Sequence, residues 1–585
     1  MHTVRYMRDL INMAGIGFEL KKLFGDDVFT KRIRAYIYST LVSVGPWITT
    51  VIVLNIITLS AGKLFSDVTQ KDLFMGTVVY SFVFSQILTA PWQMLIVRFL
   101  SDKMFSETYD AVKPSFIGLS KILLVLSGGV AVWYYSRTEL PVYYIFFAII
   151  LFLLISMTWI IMVYLSAVKN YAIIAQSFIY GGISAVGLAW LTMRHPIGFP
   201  LYKDASNLLL SYTAGIAVTF AILLMTFLKT FIYSNRKEFE FLTYFKKVPS
   251  LFFIGFFYTA GLWADDILMW FSVLGVDVFG AYRFAPLYDN AVFIAFLTII
   301  PSMVLFMVSI ETEFYDSYRN YFGLITSNGP FDHIETARKE MTRTIFSQLI
   351  YVMEVQIIFT IICIILSREI FMFLQLPIVF TEIFKVTASG ALCNAFVLII
   401  MLILLYFEAR IQALIISILL FVGNTIWTLV FIPKGIDYYG FGYFIGSFTA
   451  LCVAVVMLVF FLQDITYFTF FRQPMFSRKN RSIIHKIAVI TKRMIDRIMI
   501  KAVRIPATIV SIVLVCAAAL GFGFGIKIWQ NNSYSSSMQN AYRKKTLQLE
   551  SVTKEKNIKG RESKSWSSTQ QNDANRKPIE KKSNH

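Results

Sequence analysis

The sequence predicts an all-α polytopic membrane protein made of two six-helix lobes, followed by a thirteenth membrane helix. Three observations predict it. Hydrophobic residues make up 57% of the 585 and charged residues 15%, with a mean hydropathy of +0.64, whereas a soluble globule has to wet its surface. The apolar residues gather into runs of about 20, the length that crosses a hydrocarbon core. Lys and Arg fall mainly between those runs and favour one side of the predicted membrane, 31 against 8 on the opposite loops of the twelve-span body. The formal net charge of +19 therefore reports topology, with the N-terminus cytoplasmic, and not nucleic-acid binding.

Taken in order, residues 1–34 stay polar and basic and show no cleavable signal; Ile16, Leu20, Leu23 and Phe24 share one helical face, which suits a cytoplasmic surface helix on anionic lipid. Runs near 35–60, 73–97, 117–135, 141–166, 171–193 and 208–233 form a first lobe, 35–233. A cytoplasmic linker, 234–249, leads to a second lobe, 250–462, with runs near 250–273, 287–309, 345–366, 384–407, 413–432 and 441–462. Residues 463–506 are basic, and within 483–504 Ile484, Ile487, Ile490, Met494 and Ile498 oppose Lys486, Arg493, Arg497, Lys501 and Arg504. That face suits anionic lipid or a cytoplasmic partner. After Pro506 the thirteenth run covers 507–528. The polar tail 529–585, with 12 Lys and Arg against 5 Asp and Glu, is expected to be disordered and extracytoplasmic.

The two sets of six look duplicated, since Pro91 in the second span is answered by Pro301 in the eighth. Six spans return the chain to the same side, so such repeats are parallel, related by an axis along the membrane normal.

Charges inside the runs carry the chemistry. A carboxylate at membrane depth costs about 2.5–3.5 kcal/mol on insertion scales, so one that is kept is expected to face a polar cavity or a partner. Asp265 and Asp266 sit in the seventh run and Glu354, with Gln356 two positions on, near the centre of the ninth. Neighbours on a helix point about 100° apart, so at least one of the aspartates should face inward. Proton binding, cation coupling and hydrogen bonding to sugar hydroxyls all suit them; so does an interhelical tie to Arg98 or Arg283, and for Glu354 a bond to a neighbouring helix. Gly45-Pro46-Trp47 and Ala90-Pro91-Trp92 interrupt the backbone ladder mid-span, which lipid tolerates only where protein or a wet cavity satisfies the freed carbonyls, and kinks there would shape a lumen. Trp47, Trp92 and Trp263 could then offer flat faces to sugar rings, or simply pack.

Enzyme and motor chemistries find little here. The five histidines are scattered over termini and loops, the four cysteines lie in apolar runs without metal-ligand spacing, and no GxxxxGK[ST] loop is present, so neither metal, cofactor nor nucleotide is expected.

The stretch Met13-Ala-Gly-Ile-Gly-Phe-Glu-Leu-Lys-Lys-Leu-Phe, then Arg34-Ala-Tyr and Ser43-Val-Gly-Pro-Trp-Ile, closely resembles the start of the PelG family, the inner-membrane transport proteins of Pel exopolysaccharide systems. The span count extends the resemblance over about 13–462; residues 1–12 precede it, with Met13 an alternative start, and nothing is carried over beyond 462. It implies a MATE-like fold of the polysaccharide-transporter branch. It also implies export of a nascent amino-sugar polymer, rich in N-acetylgalactosamine, across the cytoplasmic membrane for biofilm matrix. The partners it implies are a PelF-like cytoplasmic glycosyltransferase, a PelD-like cyclic-di-GMP receptor and a PelE-like membrane subunit. An ion-coupled lipid-linked oligosaccharide flippase or small-molecule exporter is the alternative within transport; a membrane-embedded glycan-processing enzyme or a structural scaffold of the synthase complex is the alternative outside it.

Overall fold

The computed structural model describes residues 40–465 apart from 41–43, 63–67, 169, 233–236, 310–312, 328, 374–376 and 464. The surface helices expected at 1–34 and 483–504, the thirteenth run and the tail lie outside the described residues.

The apolar runs fold as helices because a backbone in lipid has to satisfy its own hydrogen bonds. They are α1 (Gly45–Gly62), α2 (Val68–Phe105), α3 (Val112–Tyr135), α4 (Val142–Ala167), α5 (Tyr171–Arg194) and α6 (Lys203–Thr230). A short α7 (Leu242–Lys247) precedes α8 (Pro249–Leu262) and α9 (Ala264–Trp270), then a two-stranded antiparallel hairpin, β1 (Val276–Val278) and β2 (Tyr282–Phe284). There follow α10 (Pro286–Leu297), α11 (Ile300–Ser309), α12 (Tyr315–Thr326), α13 (Phe331–Phe373), α14 (Ile378–Tyr406), α15 (Arg410–Phe431) and α16 (Phe441–Gln463). Among the described residues, ten helices are long and apolar enough to cross a membrane. The α8–α9 pair, bent by 45°, makes an eleventh if taken as one span, and α1 is a shorter apolar helix.

The helices pair in the same order twice. In the first set α1 packs on α5, α2 and α3 on α4, α4 on α6 and α5 on α6; in the second α8 packs on α15, α10 and α13 on α14, α14 on α16 and α15 on α16. The sets meet along α2. One apolar cluster joins Tyr80, Tyr135 and Tyr144 to Trp270, Tyr282 and Tyr288, so the hydrophobic core at the hairpin end is shared between them.

Local chemistry explains where the structure departs from single unbroken spans. The run expected at 250–273 breaks at Trp263, and that at 287–309 breaks between Leu297 and Ile300 with Pro301 in the first turn of α11, a position whose missing N–H costs a helix little. Pro46, expected to break the first run mid-span, likewise lies in the first turn of α1, where it interrupts no bond of that helix. Pro91 sits inside α2, a helix of 38 residues. The ninth run is the apolar part of a 43-residue helix, because 331–344 continue it with good helix formers and an Arg338–Glu335 pair at 2.6 Å.

At Gly255 the two sets pack backbone against backbone. A Cβ there would meet the Ala90 carbonyl oxygen at 2.5 Å and Pro91 Cα at 3.0 Å, both backbone, so α8 lies directly against the α2 proline. Gly255→Val is expected to destabilise the protein by about 1–3 kcal/mol through overpacking, seen as a lower melting temperature in detergent, whereas Val at Gly187, where nothing lies within 4 Å among the described residues, leaves it unchanged.

Candidate functional site

Both aspartates of the seventh run lie just past the α8–α9 break and are buried, Asp265 at 0% and Asp266 at 4% exposure. Tyr288 Oη donates to Asp265 Oδ2 at 2.6 Å, and Asn424 Nδ2 donates to Asp265 Oδ1 at 2.7 Å and to the Gly261 carbonyl at 2.9 Å. Asn424 thus ties the carboxylate to the carbonyl freed by the break, and Thr428 Oγ1 donates back to Asn424 Oδ1 at 3.1 Å. The reach is short because Gly261 has no side chain; a Cβ there would meet Phe421 N of α15 at 2.9 Å. Asp266 differs: its Oδ2 is buried without a hydrogen-bond partner among the described residues.

A third acid joins them. Asp289, in the first turn of α10 beside Tyr288, accepts from Trp270 Nε1 at 3.1 Å and from the Ala285 N–H at 3.0 Å. Trp270 connects the acids to the interface between the helix sets, stacking on Tyr80 with centroids 4.7 Å apart and planes 16° apart. Tyr80 Oη in turn donates to the Arg283 carbonyl at 2.7 Å and accepts from its N–H at 3.1 Å. Tyr134 bonds the Ala281 carbonyl, and Tyr135 meets Tyr282 at 2.8 Å. Aromatic residues of α2 and α3 therefore close over the hairpin, with the carboxylates next to that closure. A buried oxygen that no donor reaches, beside two further acids, can take up a proton.

At the other end of α2, Arg98 pairs with Glu408 of the α14–α15 connection and with Asp102 at 3.2 Å, and Glu408 also binds Arg410 at 2.6 Å. Partial burial opposes the charge on Glu408, but the Arg410 hydrogen bond and the two guanidinium charges outweigh it and hold its carboxyl below the ordinary carboxylate range. A depressed folded-state pKa stabilises above the unfolded value, about 4.3, and that contribution is lost as pH falls through the folded one. The stability gap between wild type and Glu408→Gln should therefore be constant from neutral pH down to about 5 and close below about 4. Melting curves across that range check it; the side chain is 46% exposed, so the gap should be small.

The remaining residues singled out in the sequence fall in several places. Trp263 lies at the α8–α9 bend and donates to Gln86 Oε1 of α2 at 2.8 Å. Trp92 packs edge-on against Phe252 at 5.3 Å, and Trp47 tilts against Phe293 at 5.8 Å. The Arg283 guanidinium lies 5.5 Å over the Phe271 ring, and neither Arg283 nor Arg98 pairs with Asp265 or Asp266. Gln356, fully buried, bridges the α10–α11 break: it accepts from Ser302 N at 3.0 Å and donates to the Thr298 carbonyl at 2.7 Å. Those two groups would bond each other in an unbroken helix, and the amide takes the place of that bond. Glu354 lies on the opposite, exposed face of α13. Sequence reasoning missed Asp289, Asn424 and Gln86, polar groups inside apolar runs.

The fold is that of MATE-type transporters of the MOP superfamily. It is similar to a MATE protein in complex with MaL6 (TM-score 0.52, 12% identity, 77% of this chain and 99% of the other) and to one in complex with MaD5 (0.51, 12%, 78% and 98%). It is also similar to a MOP-superfamily transporter from Pyrococcus furiosus studied for the reversed polarity of its binding pocket (0.50, 12%, 77% and 98%). Comparison with curated proteins finds no significant match. The chain belongs to the PelG family, whose model, described as "Putative exopolysaccharide Exporter (EPS-E)", matches residues 13–470. Family and fold together point to a membrane transporter in exopolysaccharide export, and not to an enzyme.

Proposed function

We propose that this protein exports a nascent Pel-type, N-acetylgalactosamine-rich polysaccharide across the cytoplasmic membrane as the transport subunit of a synthase complex. The family match over residues 13–470 carries this reading. The two helix sets, with the same order of pairing, are two six-helix lobes closing around the pathway. The N-terminus is cytoplasmic, so the hairpin closes the outer end and the Arg98–Glu408 pair ties the inner end. PelF-like, PelD-like and PelE-like proteins supply and regulate the polymer, and the basic segments outside the described residues sit on anionic lipid.

Asp265, Asp266 and Asp289 form the coupling site. Proton uptake removes charge from a group with an unmatched oxygen and alters what Trp270 and Tyr80 hold, which links the acids to opening of the outer end. The same cluster suits an ion-coupled flippase for lipid-linked oligosaccharide, and one experiment separates the two. In sealed inverted vesicles containing this protein and its synthase, labelled sugar donor should yield long polymer protected in the lumen, and collapsing the proton gradient should stop its entry. Polymer left outside with an intact gradient would refute export; lumenal short lipid-linked chains would show the flippase.

A further inference from the structure

Glu354 is the single charged residue among the 24 from 344 to 367, between Arg343 and Arg368. At 1.5 Å per residue it lies about 16 Å along α13 from the first and about 21 Å from the second, too far for either to neutralise it. The inward face of α13 is occupied by Ile345, Leu349, Val352, Gln356 and Thr360, all buried. Glu354 stands two residues from both Val352 and Gln356, about 160° around the helix from each. Tyr351, Ile358, Ile361 and Ile365 share its face at 49%, 59%, 43% and 68% exposure. No hydrogen bond or ion pair reaches Glu354 among the described residues.

Two features turn this face from a lipid contact into a docking surface. A carboxylate turned to hydrocarbon at mid-span is retained where another group covers it. The exposed positions 351, 354, 358, 361 and 365 are also spaced three and four apart, the seam with which one helix receives another.

We infer that this face of α13 binds a membrane helix of another protein that places a Lys or Arg against Glu354. Charge decides among occupants. A second copy in symmetric contact would set Glu354 against Glu354. The chain's own apolar run 507–528 has one charged residue, Lys527, near its C-terminal end and about 14 Å from its middle, so it brings no cation to mid-span. A basic partner helix completes both the seam and the charge. The inference is independent of the exported cargo.

The test uses the full chain in its native membrane. A photo-crosslinking amino acid at Ile358 should form an adduct whose cross-linked peptide, sequenced by mass spectrometry, belongs to a membrane span containing Lys or Arg. The same probe at Leu349, on the buried face, should give none. Glu354→Lys should cut co-purification of that protein by about tenfold, and exchanging the partner's basic residue for Glu should restore it. Because Glu354 faces outward, the variant's abundance should stay at the wild-type level; the Ile358 adduct in the otherwise unaltered chain tests the inference if it does not. Adducts with lipid, with a second copy, with 507–528 or with a span lacking Lys and Arg would overturn it, as would charge exchange without restoration.

Discussion

Asp266→Asn should abolish polymer secretion while leaving the protein as stable as the wild type, or more so. Most substitutions of a fully buried residue lose fold and function together. Here one oxygen of the native side chain lacks a donor and two further acids lie beside it, so an amide, although it still leaves a buried polar atom without a partner, removes an uncompensated buried charge. Asp265→Asn should behave differently. Its two oxygens accept from Tyr288 and Asn424, and an amide can present only one acceptor oxygen, so stability should fall by about 1–2 kcal/mol along with secretion. Secreted polymer, membrane abundance and melting temperature, measured together for the two variants, check the contrast. Normal secretion from Asp266→Asn would remove the acids from the transport cycle; equal loss of stability in both would reduce them to structural ties.

Gln356→Leu should be the most damaging single change at the second break. Leucine fills a similar volume but neither donates nor accepts, which leaves Ser302 N and the Thr298 carbonyl without the partner each has now. In a membrane interior no water takes its place, so the loss is about 2–6 kcal/mol for the two groups. Membrane abundance should fall and the melting temperature drop by several degrees. Gln356→Glu should be intermediate, because an ionised carboxylate still accepts from Ser302 N but meets the Thr298 carbonyl with like polarity. A stable Gln356→Leu protein with normal packing but impaired export would instead give the amide a direct part in the pathway.

The helical class and the apolar spans among the described residues were legible from run length, and the aspartate pair because charge stands out in apolar sequence. Residues missed in the sequence were missed for a physical reason. Asn424 and Gln86 are uncharged and add little polarity to a 20-residue window, and Asp289 falls near the start of a run, where a carboxylate can reach water. Gln356 was legible by depth but not by role, since a broken helix is invisible until the partner groups are placed. The face of Glu354 was within reach: Ile345, Leu349, Val352 and Gln356 already trace an inward stripe by helical spacing, and position 354 lies off it. The three-residue strands of the hairpin carry too short an alternation to stand out, yet they position the contacts that join the two helix sets.

α2 carries both of the ties described above on one rod. Tyr80, which clasps the hairpin, and Arg98, which grips Glu408, are 18 residues apart, about 27 Å along the axis. A rigid beam pivoting near its middle swings its ends in opposite directions, so tilting that pulls one end free presses the other home. The fulcrum is where Gly255 touches Ala90 and Pro91. Under the export reading proposed above, a seesaw so mounted would release one end at a time, and a flex at Pro91 would let both ends go together, as passage of a long polymer requires.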